Sequence, residues 1–188
     1  EYLRDVIRKY KAGDASERSY YGIFEQFLQG FRLGTSVTKE KRNSKIGIPD
    51  FVIENNKQEL IGYIEAKDVG RDLDSLNATE KIQIEKYRKE YPKLILTNFT
   101  EFRLFEFGKS VDKVVIALPV TLELGEVVLQ NDAKLKTLLD RFFGTVIPKT
   151  TSAQALAILL ADRARTLRDL TLEEINLEDD IDSESEKL

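Results

Sequence analysis

The order of the apolar segments predicts an α/β (α+β) domain in which a mixed β-sheet is flanked by helices. Two stretches with helical spacing come first, two short β-branched runs follow, and a third helical stretch precedes two more strand-like runs. The 188 residues are 41% hydrophobic and 33% charged, which is ordinary for a chain with a real core. A helical extension is expected after this domain.

Two helices open the predicted fold. Tyr2, Val6 and Tyr10 recur at helical spacing, and after a glycine break a second helix is expected from Ser16 to Phe31. The segment Leu33–Ser44 is polar and lacks an apolar period, so we expect a loop there. The basic residues in and just after this loop are Lys39, Lys41, Arg42 and Lys45.

A hairpin and a later strand pair form the predicted sheet. Phe51–Ile53 and Leu60–Ala66 are separated by turn-forming residues, which indicates a hairpin. A third helix is expected over Thr79–Tyr91, because apolar residues recur at helical spacing and Pro92 follows. The apolar run Leu94–Thr97 predicts a buried strand. Alternation over Phe102–Phe107 predicts a half-exposed one.

The remainder of the chain is expected to be largely helical. Val114–Leu118 indicates another strand or a sheet edge, and the amphipathic segments Asp132–Phe143 and Ser152–Leu170 predict two helices. The aromatic side chains between the strands are assigned to the core, namely Phe99, Phe102, Phe105 and Phe107. The expected parts are a sheet domain over 1–130, a helical extension or coupler over 131–172 and an acidic tail or linker over 173–188.

Composition excludes several kinds of catalysis. The chain has no Cys and no His, which rules out thiolate nucleophiles, Ser–His triads and Cys/His zinc sites. A metal would be held by oxygen ligands, which suits Mg²⁺ or Mn²⁺. The net charge of -4 is uneven, since residues 173–188 carry -7 and residues 1–172 carry +3. The overall acidity therefore does not argue against a nucleic-acid partner.

No apolar run is long enough to span a bilayer, and no signal-like segment opens the chain, so we expect a cytoplasmic protein without a membrane partner. The sequence has no Met and begins with Glu. We therefore expect it to be a fragment or a processed product.

The strongest chemical signal lies on the predicted hairpin. Asp50 precedes the first strand, and Glu65 and Lys67 lie near the end of the second, two residues apart and thus on one face. Two carboxylates can share a divalent cation that activates water, and a lysine can orient that water or offset charge on a phosphoryl transition state. Such residues also form ordinary surface ion pairs. The apolar run around Glu65 favours the functional interpretation, because an unpaired charge there is unfavourable.

These residues resemble the motif of the PD-(D/E)XK nuclease superfamily, here Pro49-Asp50 followed by Glu65-Ala66-Lys67. The helix segment Gln83-Ile84-Glu85-Lys86-Tyr87 is similar to the Gln-x-x-x-Tyr motif of RecB-like members. The resemblance implies a restriction-endonuclease-like fold, Mg²⁺ as cofactor with Mn²⁺ able to substitute, and catalytic roles for Asp50, Glu65, Lys67 and Gln83. It also implies that Tyr87 contacts DNA.

A narrower resemblance connects the chain to fused restriction and modification enzymes. The matching segments are Ser16–Tyr20, Gly47–Phe51, Gly62–Asp68, Asp72-Leu73 and Leu94–Asn98. In the type IIG and type ISP proteins an N-terminal nuclease precedes an adenine-N6 methyltransferase and a target-recognition domain. The implied partners are double-stranded DNA, those domains on a longer chain, and a second copy in a transient dimer for double-strand cleavage. This chain has no Asn-Pro-Pro-Tyr motif and no glycine-rich cofactor loop, so methylation belongs elsewhere.

Several further site residues follow from the resemblance. Glu17 matches a helix-borne acid that completes the metal cluster in many members, which gives Asp50, Glu65 and Glu17 as the metal ligands. A first-turn Glu favoured by the helix dipole is the alternative for Glu17, and Glu25 is a competing candidate. The basic loop residues are candidate phosphate contacts, and an ordinary solvated loop is the alternative.

Three functions stay open on the sequence. The leading one is a Mg²⁺-dependent DNA endonuclease module. The others are a catalytically silent DNA-binding or assembly module on the same fold, and an RNA nuclease, because one cation chemistry serves both backbones.

Overall fold

The amino-terminal helices pack on one face of a β-sheet, and a further helix covers the other face. The computed structural model describes residues 1–39 and 47–147, and in addition Ala161, Ala164, Arg165, Leu167, Arg168 and Thr171. The chain divides into two units, Glu1–Pro148 and Lys149–Leu188, and every element below belongs to the first. Of the predicted helix Ser152–Leu170 only a few helical residues are described, and the acidic segment 173–188 lies outside the described residues.

Within the described residues the sheet has six strands in sequence order, and neighbouring strands run antiparallel except at one pair. The strands are β1 Ser36–Lys39, β2 Phe51–Glu54, β3 Leu60–Ala66, β4 Lys93–Thr97, β5 Glu101–Glu106 and β6 Lys109–Val115. Strands β3 and β4 are parallel, and the crossover between them is a helix. The predicted class, a mixed sheet flanked by helices, is confirmed.

The helices largely follow the predicted spacing. They are α1 Tyr2–Lys11, α2 Tyr21–Phe31, α3 Ala78–Glu90, α4 Pro119–Leu124 and α5 Asp132–Phe143, and a 3₁₀ helix, Glu17–Tyr20, leads into α2. Helix α3 begins with a capping box, in which the Asn77 side chain accepts from the Glu80 amide and the Glu80 carboxylate accepts from the Asn77 amide. This cap fixes where the crossover helix starts.

Successive side chains of the central strand β4 point alternately into two apolar clusters. Ile95 belongs to the larger cluster beneath α1, α2 and α5, whereas Leu94 and Leu96 join the cluster beneath α3. All five residues of β4 are buried because helices cover both faces of the sheet there. Phe24 and Tyr87 are among the largest fully buried side chains, one in each cluster.

Two local predictions are wrong, a third is displaced along the chain, and one short helix was not predicted. Part of the expected loop 33–44 is the edge strand β1, whose polar, half-exposed side chains show no apolar period. The strand or sheet edge expected over 114–118 overlaps the end of the edge strand β6, which begins at Lys109 and is largely exposed or half-buried. A short helix, α4, follows and was not predicted. Phe107 is not a core residue but is 82% exposed, because it lies in the turn after β5 with a positive φ of 49°.

Helix α5 packs on the sheet of the first unit. The Lys93 ammonium is buried and donates to the carbonyls of Phe142 and Thr145 at 3.0 and 2.9 Å, which satisfies groups at the carboxyl end of α5. A Cβ at Gly62 would lie 2.7 Å from the Phe142 ring, so this close approach requires glycine. Helix α5 lies in the same compact unit as the sheet. The functional boundaries expected at residues 130 and 172 stay predictions.

Candidate active site

Asp50 lies at the start of β2, where Pro49 fixes the entry of the chain. Its Oδ1 accepts a hydrogen bond from the Tyr21 hydroxyl at 2.6 Å, and its Oδ2 accepts from the Ala66 amide at 2.7 Å. The second bond crosses from β2 to the end of β3. Both carboxylate oxygens are therefore held in place, one by a helix and one by the neighbouring strand.

Glu65 and Lys67 share one face at the end of β3, as the period of two predicts. The Lys67 Nζ donates to the Glu65 Oε1 at 2.8 Å, and the two residues are only 9% and 3% exposed. The Lys67 amide donates to the Thr97 carbonyl at 2.8 Å, which continues the pairing with β4. The Glu65 Oε2 is buried and has no hydrogen-bond partner among the described residues.

The electrostatics show an excess of negative charge at this point. Burial raises the pKa of Glu65 to about 8, and the nearby Asp50 charge adds to this effect against the attraction of Lys67. Burial, followed by the Asp50 charge, also raises the pKa of Glu17. These carboxyl groups resist ionisation together unless further positive charge is present, which is the condition that a bound cation meets.

Glu17 adjoins the same site through a tyrosine. The Tyr21 hydroxyl lies 2.8 Å from the Glu17 Oε1 as well as 2.6 Å from Asp50. The Glu17 amide donates to the Asp68 carboxylate at 3.1 Å, which ties the start of the 3₁₀ helix to the chain just after Lys67. The competing candidate, Glu25, instead forms an ion pair with Lys39 on β1 at 2.5 Å.

Gln83 and Tyr87 meet each other on α3, as their spacing of four residues predicts. The Gln83 Nε2 donates to the Tyr87 hydroxyl at 3.1 Å, and that hydroxyl donates to the Ile48 carbonyl at 3.2 Å. Burial raises the pKa of Tyr87 most strongly, the Gln83 hydrogen bond lowers it, and the nearby carboxylates at Glu65 and Asp50 raise it further. The pair thus lies beside the carboxylates, and the hydrogen bond to Ile48 holds the segment that leads into Asp50.

The predicted basic loop is only partly described. Lys39 is the last residue of β1 and forms an ion pair with Glu25. Lys41, Arg42 and Lys45 lie outside the described residues. Contact of any of these four side chains with phosphate stays a prediction.

The donor set fits a hard divalent cation. Asp50 and Glu65 supply carboxylate oxygens, and the unpartnered Glu65 Oε2 offers a free ligand atom. Among the residues that the structure describes, no three acidic side chains form a ready metal-binding group, and Glu17 is linked to Asp50 through Tyr21. The sequence did not single out Tyr21, although its spacing from Glu17 is that of neighbours on one helix face.

Comparison with known proteins agrees with this fold. No protein-family model matches the chain, and no curated protein matches it. Among solved structures, it is similar to DrdV in a cryo-EM structure of the DrdV–DNA complex, with a TM-score of 0.52, 21% identity and coverage of 77% of this chain. The match spans 14% of the DrdV chain. None of the helices in the described part is long and apolar enough to cross a membrane.

Proposed function

We propose that this chain is the nuclease part of a longer DNA-cleaving protein and that it hydrolyses phosphodiester bonds with a divalent cation held by Asp50 and Glu65. One observation carries the proposal. The buried Glu65 carboxylate lies near Asp50, keeps one oxygen without a partner among the described residues, and has the Lys67 ammonium as its ion-pair partner. With both carboxyl groups ionised, the single ammonium leaves net negative charge, so a hard cation would be stabilised there.

The residues of the chain divide the work in the proposed reaction. When bound, Mg²⁺ or Mn²⁺ polarises a phosphoryl oxygen and lowers the pKa of a water molecule. Asp50 is oriented for this role by its two hydrogen bonds. Lys67, held by Glu65, carries positive charge toward the phosphoryl oxygens and orients the attacking water. Gln83 and Tyr87 border the site and are proposed to contact the DNA strand.

DNA is the proposed substrate for two reasons. The Pro-Asp and Glu-x-Lys residues resemble the PD-(D/E)XK nucleases, and the fold is similar to part of DrdV, a protein solved in complex with DNA. The chain matches only 14% of DrdV. Target recognition and adenine-N6 methylation are proposed to belong to other parts of a longer cytoplasmic protein, as the resemblance to fused restriction and modification enzymes implies. A transient dimer is proposed for double-strand cleavage.

Cleavage of a supercoiled plasmid with Mg²⁺ or Mn²⁺ tests the proposal. Asp50→Ala, Glu65→Ala and Lys67→Ala should each abolish cleavage, and their effects should not add, because the three side chains act as one unit. Asp140→Asn is the matched control, since it removes an exposed carboxylate on α5 that forms an ion pair with Lys136. It should cut like the wild type.

The same assay separates the alternatives. Cleavage of an RNA duplex in preference to the matched DNA duplex would assign the chain to RNA nucleases. Cation binding and DNA binding without cleavage would indicate a silent module. Near wild-type cleavage by any of the three alanine variants would contradict the assigned active site.

A further inference from the structure

The Tyr21 hydroxyl donates to the Asp50 carboxylate, and it also reaches Glu17. Asp50 and Glu17 are far apart in sequence, and the two contacts from Tyr21, at 2.6 and 2.8 Å, join them into a chain of three side chains. A phenol has one proton, so it can donate fully to only one carboxylate at a time. The hydroxyl therefore acts as the link between the two acids.

The position of this hydroxyl is fixed by the core. The Tyr21 ring is 4% exposed and packs on Phe51, with ring centroids 4.6 Å apart. Phe51 directly follows Asp50, so the strand residue that holds the ring is the neighbour of the acid that receives the hydrogen bond. Tyr21 is also the first residue of α2, at the junction with the 3₁₀ helix that carries Glu17.

The placement of Glu17 differs from that of Asp50. Its carboxylate adjoins the site through Tyr21, and no group of three acids that could hold a metal is present among the described residues. Its backbone amide is held separately by Asp68, which keeps the start of the 3₁₀ helix beside the end of β3. Glu17 is thus placed to form a hydrogen bond with the Tyr21 hydroxyl. It does not take the place of that hydroxyl beside Asp50.

We infer that Tyr21 is a positioning residue that sets the orientation of the Asp50 carboxylate and that Glu17 acts on the site through Tyr21. This inference rests on the proposed function, because it concerns the divalent-cation site at Asp50 and Glu65. Hydrogen-bonding partners of ligating carboxylates orient the ligand, and their loss typically weakens metal affinity by about 10- to 100-fold. Tyr21→Phe removes only the hydroxyl and keeps the ring on Phe51.

Mn²⁺ binding to the full 188-residue chain provides the test, measured by calorimetry and by the electron paramagnetic resonance spectrum of the bound ion. Tyr21→Phe should weaken binding by about 10- to 100-fold and change the spectrum at saturation. Tyr2→Phe is the matched control, because it also removes a partly buried phenol hydroxyl. That hydroxyl donates to the Phe99 carbonyl at 2.8 Å and lies away from the acids. It should bind Mn²⁺ like the wild type.

A double-variant cycle separates the two roles of Glu17. If Glu17 acts through Tyr21, adding Glu17→Gln to Tyr21→Phe should weaken Mn²⁺ binding no further. A multiplied loss in the double variant would overturn the inference, since it would make Glu17 a direct ligand. Wild-type affinity and spectrum in Tyr21→Phe would overturn it as well.

Two further variants keep the outcome interpretable. Glu17→Gln leaves the Tyr21 ring untouched and should weaken binding less than Asp50→Asn does, so an equal loss would contradict the inference even if Tyr21→Phe folded poorly. Wild-type affinity in Asp50→Asn, or no Mn²⁺ binding by the wild type, would instead overturn the proposed cation site itself. Loss in Asp50→Asn with none in Tyr21→Phe would overturn the Tyr21 inference alone.

Discussion

Replacing Glu65 by Gln tests whether this carboxylate is buried beside a like charge. Glu65 is 3% exposed, and burial and the Asp50 charge raise its pKa from 4.5 to about 8. A carboxyl whose pKa is higher in the folded chain holds its proton more tightly there. Its contribution to stability is therefore full below pH 4.5, is lost as the pH rises toward about 8, and stays lost above that.

The size of the effect follows from the width of this window. One pKa unit corresponds to about 1.4 kcal/mol, so the unfolding free energy of the wild type should fall relative to Glu65→Gln by about 3 kcal/mol between about pH 5 and 7. The ceiling over the whole window is about 5 kcal/mol. Gln does not titrate, and its side-chain oxygen can still accept from Lys67.

Urea unfolding followed by circular dichroism in chelator, at about pH 5, 6, 7 and 8, measures this difference. Glu106→Gln is the matched control. The Arg141 hydrogen bond lowers the pKa of Glu106 below 4.5, so its contribution is lost only as the pH falls below that value. Its difference from the wild type should be constant over the measured range. A constant difference for Glu65→Gln as well would refute the buried like-charge arrangement.

Three other predictions concern Asp50, Gly47 and the net charge of the chain. Asp50→Asn should melt at a higher temperature than the wild type in chelator. In the wild type the single proton of the Tyr21 hydroxyl faces two carboxylates, whereas the asparagine side-chain amide donates to this hydroxyl. Mg²⁺ at ten times its dissociation constant should stabilise the wild type by about 1.4 kcal/mol and this variant much less, and equal responses would contradict the site. Gly47→Ala should cost about 1–3 kcal/mol in thermal or urea unfolding, because Gly47 has a φ of +132° and its Cβ would lie 2.7 Å from the Tyr87 hydroxyl. Gly30→Ala, where a Cβ meets no atom within 4 Å, should instead stabilise the protein, and similar losses for both would be inconsistent with this geometry. Fluorescence anisotropy should show weak duplex DNA binding that disappears as the salt concentration rises, because residues 1–172 carry a net charge of only +3. Salt-resistant, sequence-specific binding would mean that the chain contains the target-recognition function.

The relative placement of Glu65 and Lys67 could be predicted from the sequence, because it depends on strand periodicity. The hairpin and the two-residue spacing of Glu65 and Lys67 place both side chains on one face, and the structure shows them in contact. The role of Tyr21 was not predicted, because only the fold brings the start of α2 to the entry of β2. Edge strands such as β1 and β6 were missed or misplaced because one side of each faces solvent and the apolar period is lost.

The site is assembled from four separate segments, and the two apolar clusters hold different parts of it. The cluster beneath α1 and α2 includes Tyr21 and Phe51, which fix the surroundings of Asp50. The cluster beneath α3 includes Tyr87, whose hydroxyl holds the Ile48 carbonyl on the other side of the same acid. Strand β3, where Glu65 lies, runs between them. Because Asp50 is held from both faces of the sheet, core substitutions in either cluster should disturb its orientation before the fold is lost. The affinity of the proposed cation site should report this more sensitively than the melting temperature does.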